Sequence, residues 1–476
     1  MSLYIGGDLV RLIRERFLKE TRMFLKHSQF YAMEHMIRIF SCWLPLVCVF
    51  DISAKPESNL YASLESRVRY ESLNGQYRKY FSGSDQLVAT RNLALLGIEV
   101  NDLGSVLELH DARAYLDDDG TPLSGSFVNT FAVLQGYLKY SPRFLKMDNI
   151  VKVGRFTLDI GSRRFAERND FRNTINSYSG VHWIGEVPKH RRIDVFLSSP
   201  VEKKPGAYEL LRKNDFARDE EQLGRRFLGI QLQEFKIQND LQGDLFLYGL
   251  IESDLSSYPT KDRKLWSPGI RLKRSKRMGV VDFEVELALR KGEMSCSIED
   301  KSDSVSVAAR MLHAEIGYTF DNSFSSRLGI EYDFASGDDP TTEGFERYER
   351  FYGTRRGDLG NTSIHGPLTR SNISVPGVRL SFQKGDLDGR FVLQKARLAS
   401  AGDSWIVAKL QDSSGKSGKN IGTTFDFRIR KWMRDKKFRV ELGGSLLRWG
   451  DFARSVNPDA HVNLTVYGYS QITAYL

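Results

Sequence analysis

Past residue 54, apolar and polar positions alternate with a period of two along nearly every segment, the spacing of side chains on a strand with two unlike faces. In the stretch DFEVELALR, Phe283, Val285, Leu287 and Leu289 share one face while Asp282, Glu284, Glu286 and Arg290 share the other. In RLGIEYDF, Leu328, Ile330, Tyr332 and Phe334 oppose Arg327, Glu331 and Asp333. The first such segment, LYASLESRVRYE, sets Leu64, Val68 and Tyr70 against Glu65, Arg67, Arg69 and Glu71. The pattern predicts strands over 60–71, 88–100, 104–116, 127–139, 150–160, 178–186, 191–198, 225–236, 243–253, 268–277, 280–290, 304–320, 325–335, 373–383, 389–397, 421–431, 437–448 and 462–475. That is about 18 strands, each near the roughly 9–11 residues a tilted membrane-spanning strand needs.

The connections alternate too. Long ones (72–87, 117–126, 161–177, 199–224, 254–267, 291–303, 336–372, 398–420, 449–461) take turns with short ones such as Asn101 to Leu103, Met278 to Gly279 and Asp321 to Ser323. Long loops on one rim and short turns on the other are the mark of a transmembrane antiparallel β-barrel. A soluble all-β sandwich would also alternate. Aromatic residues near strand ends (Tyr137, Tyr140, Tyr258, Trp266, Trp432, Trp449, Tyr467) favour the barrel, because interfacial girdles need them there. Residues 55–476 therefore read as one all-β domain. Its last segment, NLTVYGYSQITAYL, ends where the chain ends, with Tyr475 penultimate.

Upstream, Met36 to Ala54 has a basic Arg38, a short apolar run from Ile39 to Phe50 and a small terminal residue. This is a signal-peptide pattern, expected over 33–54 and too short for a retained membrane helix. Residues 1–32 are then expected to be an upstream extension from a misassigned start; the competing reading is an amphipathic N-terminal helix. Cys42 and Cys48 fall inside the apolar run, leaving Cys296 alone and no intrachain disulfide.

Composition changes this picture only in part. With 476 residues, 41% hydrophobic and 27% charged, the chain is too apolar to be disordered. A formal charge of +9 points to an anionic partner without choosing one. A mean hydropathy of −0.38 suits a barrel with a polar lumen and a single apolar band. Basic residues interleaved with acids along strands do not form a nucleic-acid platform. GDSW, at Gly402 to Trp405, looks superficially like a hydrolase start, but no Asp-x-x-His block follows and the segment lies in a predicted loop. His or Cys metal-ligand spacing is also missing, so no enzyme activity, cofactor or metal is expected.

A concentration of positive charge lies in KVGRFTLDIGSRRFAERNDFRN. Arg155 sits on the predicted strand, and Arg163, Arg164, Arg168 and Arg172 follow within ten positions against only Glu167 and Asp170. On a spanning strand the polar face carrying Arg155, Thr157 and Asp159 should meet the lumen, since an unpaired charge facing lipid costs about 2–4 kcal/mol at mid-depth. The loop beyond it is expected to fold inward as an arginine constriction, and such rings select anions.

Four stretches, LELHDARAYLDDDG (Leu107 to Gly120), KVGRFTLDIGSRRF (Lys152 to Phe165), NSYSGVHW (Asn176 to Trp183) and EYDFASGDDP (Glu331 to Pro340), resemble in order and spacing the motifs of the alginate-export porins of bacterial outer membranes. The resemblance implies an 18-stranded barrel in the bacterial outer membrane with an arginine-lined conduit for a polyuronate, acting as a monomer. It implies Arg113 and Arg155 as conduit residues, Arg67, Arg69 and Arg91 as additions from the first strands, and Asp111 and Asp159 as carboxylates positioning the guanidinium groups. Glu108 and His110 have opposite parity to Asp111 and Arg113, so a β-bulge near Leu109 is expected. Two departures from the family pattern are YSGVH at Tyr178 to His182 and a short turn at Met433 to Lys436.

The expected function is passive conduction of an anionic polysaccharide, alginate or a related acidic glycan. Expected partners are that glycan, outer-membrane lipid and lipopolysaccharide, and a periplasmic export partner. Two other readings stay open: a general anion-preferring porin for small solutes, and a non-transporting barrel receptor or adhesin.

Overall fold

The computed structural model describes residues 58–476 except 82, 119–120, 145–146, 188–190, 239, 256–257 and 458–461. The expected upstream extension (1–32) and signal peptide (33–54) lie outside the described residues. The strands are β1 (Ser58–Asn74), β2 (Ser84–Val100), β3 (Leu103–Tyr115), β4 (Asn129–Tyr140), β5 (Arg143–Phe144), β6 (Met147–Phe156), β7 (Tyr178–Val187), β8 (Arg191–Glu202), β9 (Glu220–Glu221) and β10 (Arg225–Gln238). They continue with β11 (Leu241–Glu252), β12 (Lys264–Arg274), β13 (Val281–Ser295), β14 (Ser304–Thr319), β15 (Arg327–Ala335), β16 (Ile373–Lys384), β17 (Leu387–Arg397), β18 (Asn420–Met433), β19 (Phe438–Trp449) and β20 (Leu464–Tyr475). Two short helices, α1 (Tyr208–Arg212) and α2 (Asp451–Val456), lie in long connections.

Apart from the two-residue β5 and β9, every strand pairs antiparallel with its chain neighbours, and β1 closes the circle on β20 from Glu65↔Tyr475 to Asn74↔Val466. The result is a closed 18-stranded antiparallel barrel. Closure leaves no open sheet edge, which backbone polar groups in lipid require.

Burial along the strands is the reverse of a soluble protein's. On β13, Val285, Leu287 and Leu289 are exposed while Asp282, Glu286 and Arg290 are 1–2% exposed. On β15, Leu328 and Ile330 are exposed while Arg327, Glu331 and Asp333 are buried. The apolar face meets lipid and the charged face meets the lumen. Four of the aromatic residues read as girdle face the other way. Trp449 and Tyr467 are each 2% exposed, with Trp449 Nε1 donating to Thr465 Oγ1 and Tyr467 Oη donating to Glu71. Tyr137 packs against the interior core, and Trp432 lies against Arg439 on the parity of Arg428 and Arg430. Trp266 and Tyr140 do lie exposed on the outside.

The strand predicted over 150–160 spans 147–156 instead. β6 pairs with β4 only from Gly136↔Arg155 to Tyr140↔Val151, and then the chain turns inward. Gly154 (φ 131°) permits the close approach there, since a Cβ at that position would lie 2.4 Å from Gly136 O. The lumen is thus filled by two long connections, 157–177 and 336–372. One side packs as an apolar core: Phe165 stacks on Tyr248 (4.9 Å), Phe227 packs on Phe196 (5.0 Å) and Tyr352 (4.9 Å), and Phe351 meets Phe227 at 5.7 Å.

Candidate conduit through the barrel

The inward position of segment 157–177 is fixed by arginines on the first two strands. Arg67 Nη1 donates to Asp170 O (2.6 Å) and its Nη2 to Arg172 O (2.8 Å). Arg91 Nη1 donates to the same Asp170 O (2.7 Å), and Arg69 donates to Phe171 O while pairing with Glu71 at 2.7 Å. Asn173 completes the anchor by donating to Thr90 O, Arg113 O and Phe127 O. Segment 336–372 is held on the other side of the lumen: Asn361 donates to Asp426 Oδ1 and Gly444 O, while Arg379 and Arg390 both donate to Gly357 O. The two segments meet at Asp358, which accepts from Arg164 (2.9 Å) and pairs with Arg370. His313 and Asp333 lie within 4.8 Å of Asp358, and those two arginines already occupy its carboxylate.

Between the two segments and β17–β19 lies a cavity of about 610 Å³ lined by eleven arginines and only three carboxylates, Glu167, Asp170 and Glu441. Three of the eleven are paired: Arg356 with Glu441, and Arg428 and Arg430 with Asp388. The other eight, Arg67, Arg78, Arg163, Arg172, Arg350, Arg355, Arg390 and Arg439, have no ion pair among the described residues. Burial and mutual repulsion push the loop guanidiniums down, Arg350 and Arg172 to about 10 and Arg355 to about 9, so all stay charged at neutral pH. A second cavity of about 660 Å³ opens at the short turns beside Met278, Gly385 and Lys436. The two cavities share Arg390, Arg428 and Arg430, so one arginine row separates and joins them. Concentrated positive charge without matching carboxylates is an anion-binding surface, and guanidinium forks suit carboxylate and phosphate.

The arginines expected from sequence divide into four groups. Arg67, Arg163 and Arg172 line the cavity. Arg69 and Arg91 stand behind the inward segment as anchors. Arg164 and Arg168 are neutralised, Arg164 by Glu284, Glu286 and Asp358, and Arg168 by Glu108 (2.6 Å) and Asp170. Asp159 lies past the strand end and accepts from Arg168 N at 2.9 Å.

Arg113 and Arg155 face outward, contrary to the expectation that both line the lumen. Lys152 pairs with the buried His182 and Gly154 with Gly180 on the lumen side, which leaves Val153 (51% exposed) and Arg155 on the outer parity. Arg155 escapes the cost of a bare charge there by pairing with Glu221 and donating to Val133 O at 2.8 Å. The bulge expected near Leu109 lies in the partner strand: β4 has the extra residue, with Glu108↔Gln135 followed by Leu109↔Val133, while β3 runs unbroken against β2. A bulge in β4 does not turn β3, so Glu108 and His110 face in, and Asp111 and Arg113 face out as a pair at 3.0 Å.

What sequence reading missed is the larger part of the cavity. Arg428 and Arg430 in FDFRIRKW stand two apart on the polar face of β18, and Arg350, Arg355 and Arg356 crowd RYERFYGTRRGD in the longest loop. Both signals were available. In the segment GDSW, at 402–405, Trp405 stacks on Tyr77 at 5.1 Å and Asp403 pairs with Arg347 at 2.7 Å.

Closed, inside-out and with long loops on one rim, the barrel defines an outer-membrane channel. The alginate-export family model matches residues 59–466, and the chain belongs to that family. Among solved structures the barrel is similar to OccK5 (OpdH) of Pseudomonas aeruginosa (12% identity, TM-score 0.55, covering 88% of this chain and 98% of that one). It is similar also to OccAB1 of Acinetobacter baumannii (9%, TM-score 0.57, 88% and 96%) and to OccK2 (OpdF) of Pseudomonas aeruginosa, solved in complex with glucuronate (12%, TM-score 0.55, 88% and 98%). At such identities the likeness is one of fold. No curated protein matches the chain. The protein is a bacterial outer-membrane protein, and its family and structural neighbours are channels.

Proposed function

We propose that the channel conducts an anionic saccharide, a polyuronate of the alginate type, past the arginine row of β17–β19. The observation that carries this reading is the cavity with eight guanidinium groups lacking carboxylate partners among the described residues. A polyuronate offers one carboxylate per sugar, so successive residues exchange one arginine for the next. Many moderate contacts let the polymer enter and leave, where one tight site would trap it. Family membership supports the same substrate class.

A second reading has its own support: conduction of small anions. The Occ-type neighbours include one solved with a single uronate, and the inward segments divide the lumen into cavities of about 610 and 660 Å³. Planar-bilayer recording of the refolded barrel separates the readings. With a salt gradient, the reversal potential should report anion preference; oligoalginate should then block the current at concentrations where glucuronate does not. Block by glucuronate alone supports the small-anion channel, and a cation-preferring or unblocked current sinks the polyuronate reading.

A further inference from the structure

The lumen accounts for the inward arginines and leaves a second set of cations on the outside. On β13, the lipid-facing row Val285, Leu287, Leu289 runs on into Lys291 toward the long-loop rim. Arg310 on β14 stands directly opposite Leu289, on the same outer parity as Ile316 (53% exposed). Lys291 and Arg310 share with Lys419 a cleft of about 400 Å³ whose apolar floor includes Leu289 and Phe334. Neither Lys291 nor Arg310 has a carboxylate partner among the described residues, and Lys419 Nζ engages only the backbone, Ala399 O at 2.6 Å. Asp339 and Glu346 are the carboxylates on the cleft; Asp339 is occupied by the backbone and hydroxyl of Thr341. The same rim continues with outward Arg397 on the parity of Leu393 and outward Arg448 on the parity of Leu446, again without ion pairs among the described residues.

Cations raised one or two residues above an apolar band lie about 3–7 Å beyond it, where head groups begin. Their long stems reach along the wall while the charge rises to the polar layer. On the long-loop rim of an outer-membrane barrel, the anionic head groups at that height belong to the phosphorylated glycolipid of the outer leaflet. We propose that the cleft of Lys291, Arg310 and Lys419 binds the phosphates of that glycolipid, with an acyl chain lying against Leu289 and Phe334. The site is separate from the conduit, since all three side chains are exposed on the outer surface.

Native mass spectrometry of the detergent-solubilised barrel with bisphosphorylated lipid A, dephosphorylated lipid A and inorganic phosphate tests this. Expected are adducts with the bisphosphorylated form, roughly hundredfold weaker in K291Q/R310Q/K419Q, with conductance and selectivity unchanged. Equal binding of dephosphorylated lipid A, equal binding by the variant, or displacement by equimolar inorganic phosphate would overturn it. Should the triple variant fail to give the folded, heat-modifiable band, R310Q alone is expected to weaken binding several-fold, and no change there overturns the proposal equally.

Discussion

The two sides of the lumen solve the same packing problem with opposite chemistry. Along β8, β10 and β11, Phe196, Phe227, Phe246 and Tyr248 meet Phe165, Phe351 and Tyr352 of the inward segments, and the space between is closed. Along β17, β18, β19 and β1, Arg390, Arg428, Arg430, Arg439 and Arg67 meet Arg172, Arg350 and Arg355, and a cavity remains. Aromatic rings can be packed dry. Guanidinium groups without carboxylates cannot, because removing water from an unpaired charge costs several kcal/mol. The aromatic side therefore fixes the inward segments, and the arginine side keeps open the space they leave. One segment serves both: Phe165 and Arg164 secure it to the closed side while Arg163 and Arg172 reach the open one.

If the sides are functionally distinct, substitutions on each should move different observables. Phe227→Ala removes the ring at the centre of the closed side and is expected to cost about 3–5 kcal/mol of stability while leaving the reversal potential unchanged. Urea titration followed by the mobility of the folded band measures the first; bilayer recording measures the second. A selectivity change as large as that from an arginine substitution would break the comparison.

Arg164→Ala comes next in size, at about 3 kcal/mol, because it strips a buried cation from Glu286 and Asp358. The loss is limited because Asp358 keeps Arg370 and Glu284 keeps Arg271. Since Arg164 joins both inward segments to the wall, single-channel conductance is expected to rise. An unchanged conductance would mean that the segments hold without this joint.

On the open side, Arg390→Gln with Arg439→Gln removes two of the unpaired charges. The expected outcome is a roughly tenfold weaker block by oligoalginate and a reversal potential shifted toward zero. Stability is expected to fall by about 1 kcal/mol, because Gly357 O loses Arg390 but keeps Arg379 and no carboxylate loses its partner. Arg155→Glu sharpens the contrast, for its outward side chain should leave both electrical observables as they are. A strong effect of Arg155→Glu would return that residue to the conduit.

The fold was legible because barrels invert an ordinary rule: each strand states its lipid and lumen faces by parity alone, and DFEVELALR keeps the faces its alternation implies. Parity failed as a guide where the strand ended early. Counting β6 to residue 160 made Arg155, Thr157 and Asp159 one lumen face, whereas the chain leaves the sheet after Phe156. For Arg113 the bulge was placed near the right residue and on the wrong strand, a choice only the pairing partner decides. The conduit was half legible. Arginine density marked segment 157–177, yet whether a guanidinium lines a cavity or pairs with Glu284 and Glu286 depends on strands over a hundred residues away, which local sequence does not bring together. Arg428, Arg430 and Arg439 stand in the basic run RIRKWMRDKKFR, but that run crosses a turn between two strands, and Arg390 joins them only when β17, β18 and β19 stand side by side.

The smallest expected effect concerns the one acid on the open side without an ion pair among the described residues. Glu167 lines the arginine cavity, and burial, aided by the nearby Asp159 and Asp170 carboxylates, pushes it up to about 7 against the pull of Thr354 and Arg163. Below that pH the carboxyl is neutral and the cavity keeps its full positive surplus; above it the group ionises and one charge is cancelled. Anion preference is therefore expected to fall, by roughly twofold, as pH rises from 6 to 8, while the surrounding guanidiniums stay charged throughout. The sign for stability runs the same way: the unfolded chain ionises Glu167 at its ordinary value near 4.5, the folded barrel holds the proton, and stability declines as pH rises through that interval up to about 7. Glu167→Gln should hold selectivity at its acidic value across the whole range. A titration that persists in Glu167→Gln would assign the pH dependence elsewhere and leave the arginine surplus of the open side insensitive to its own carboxyl.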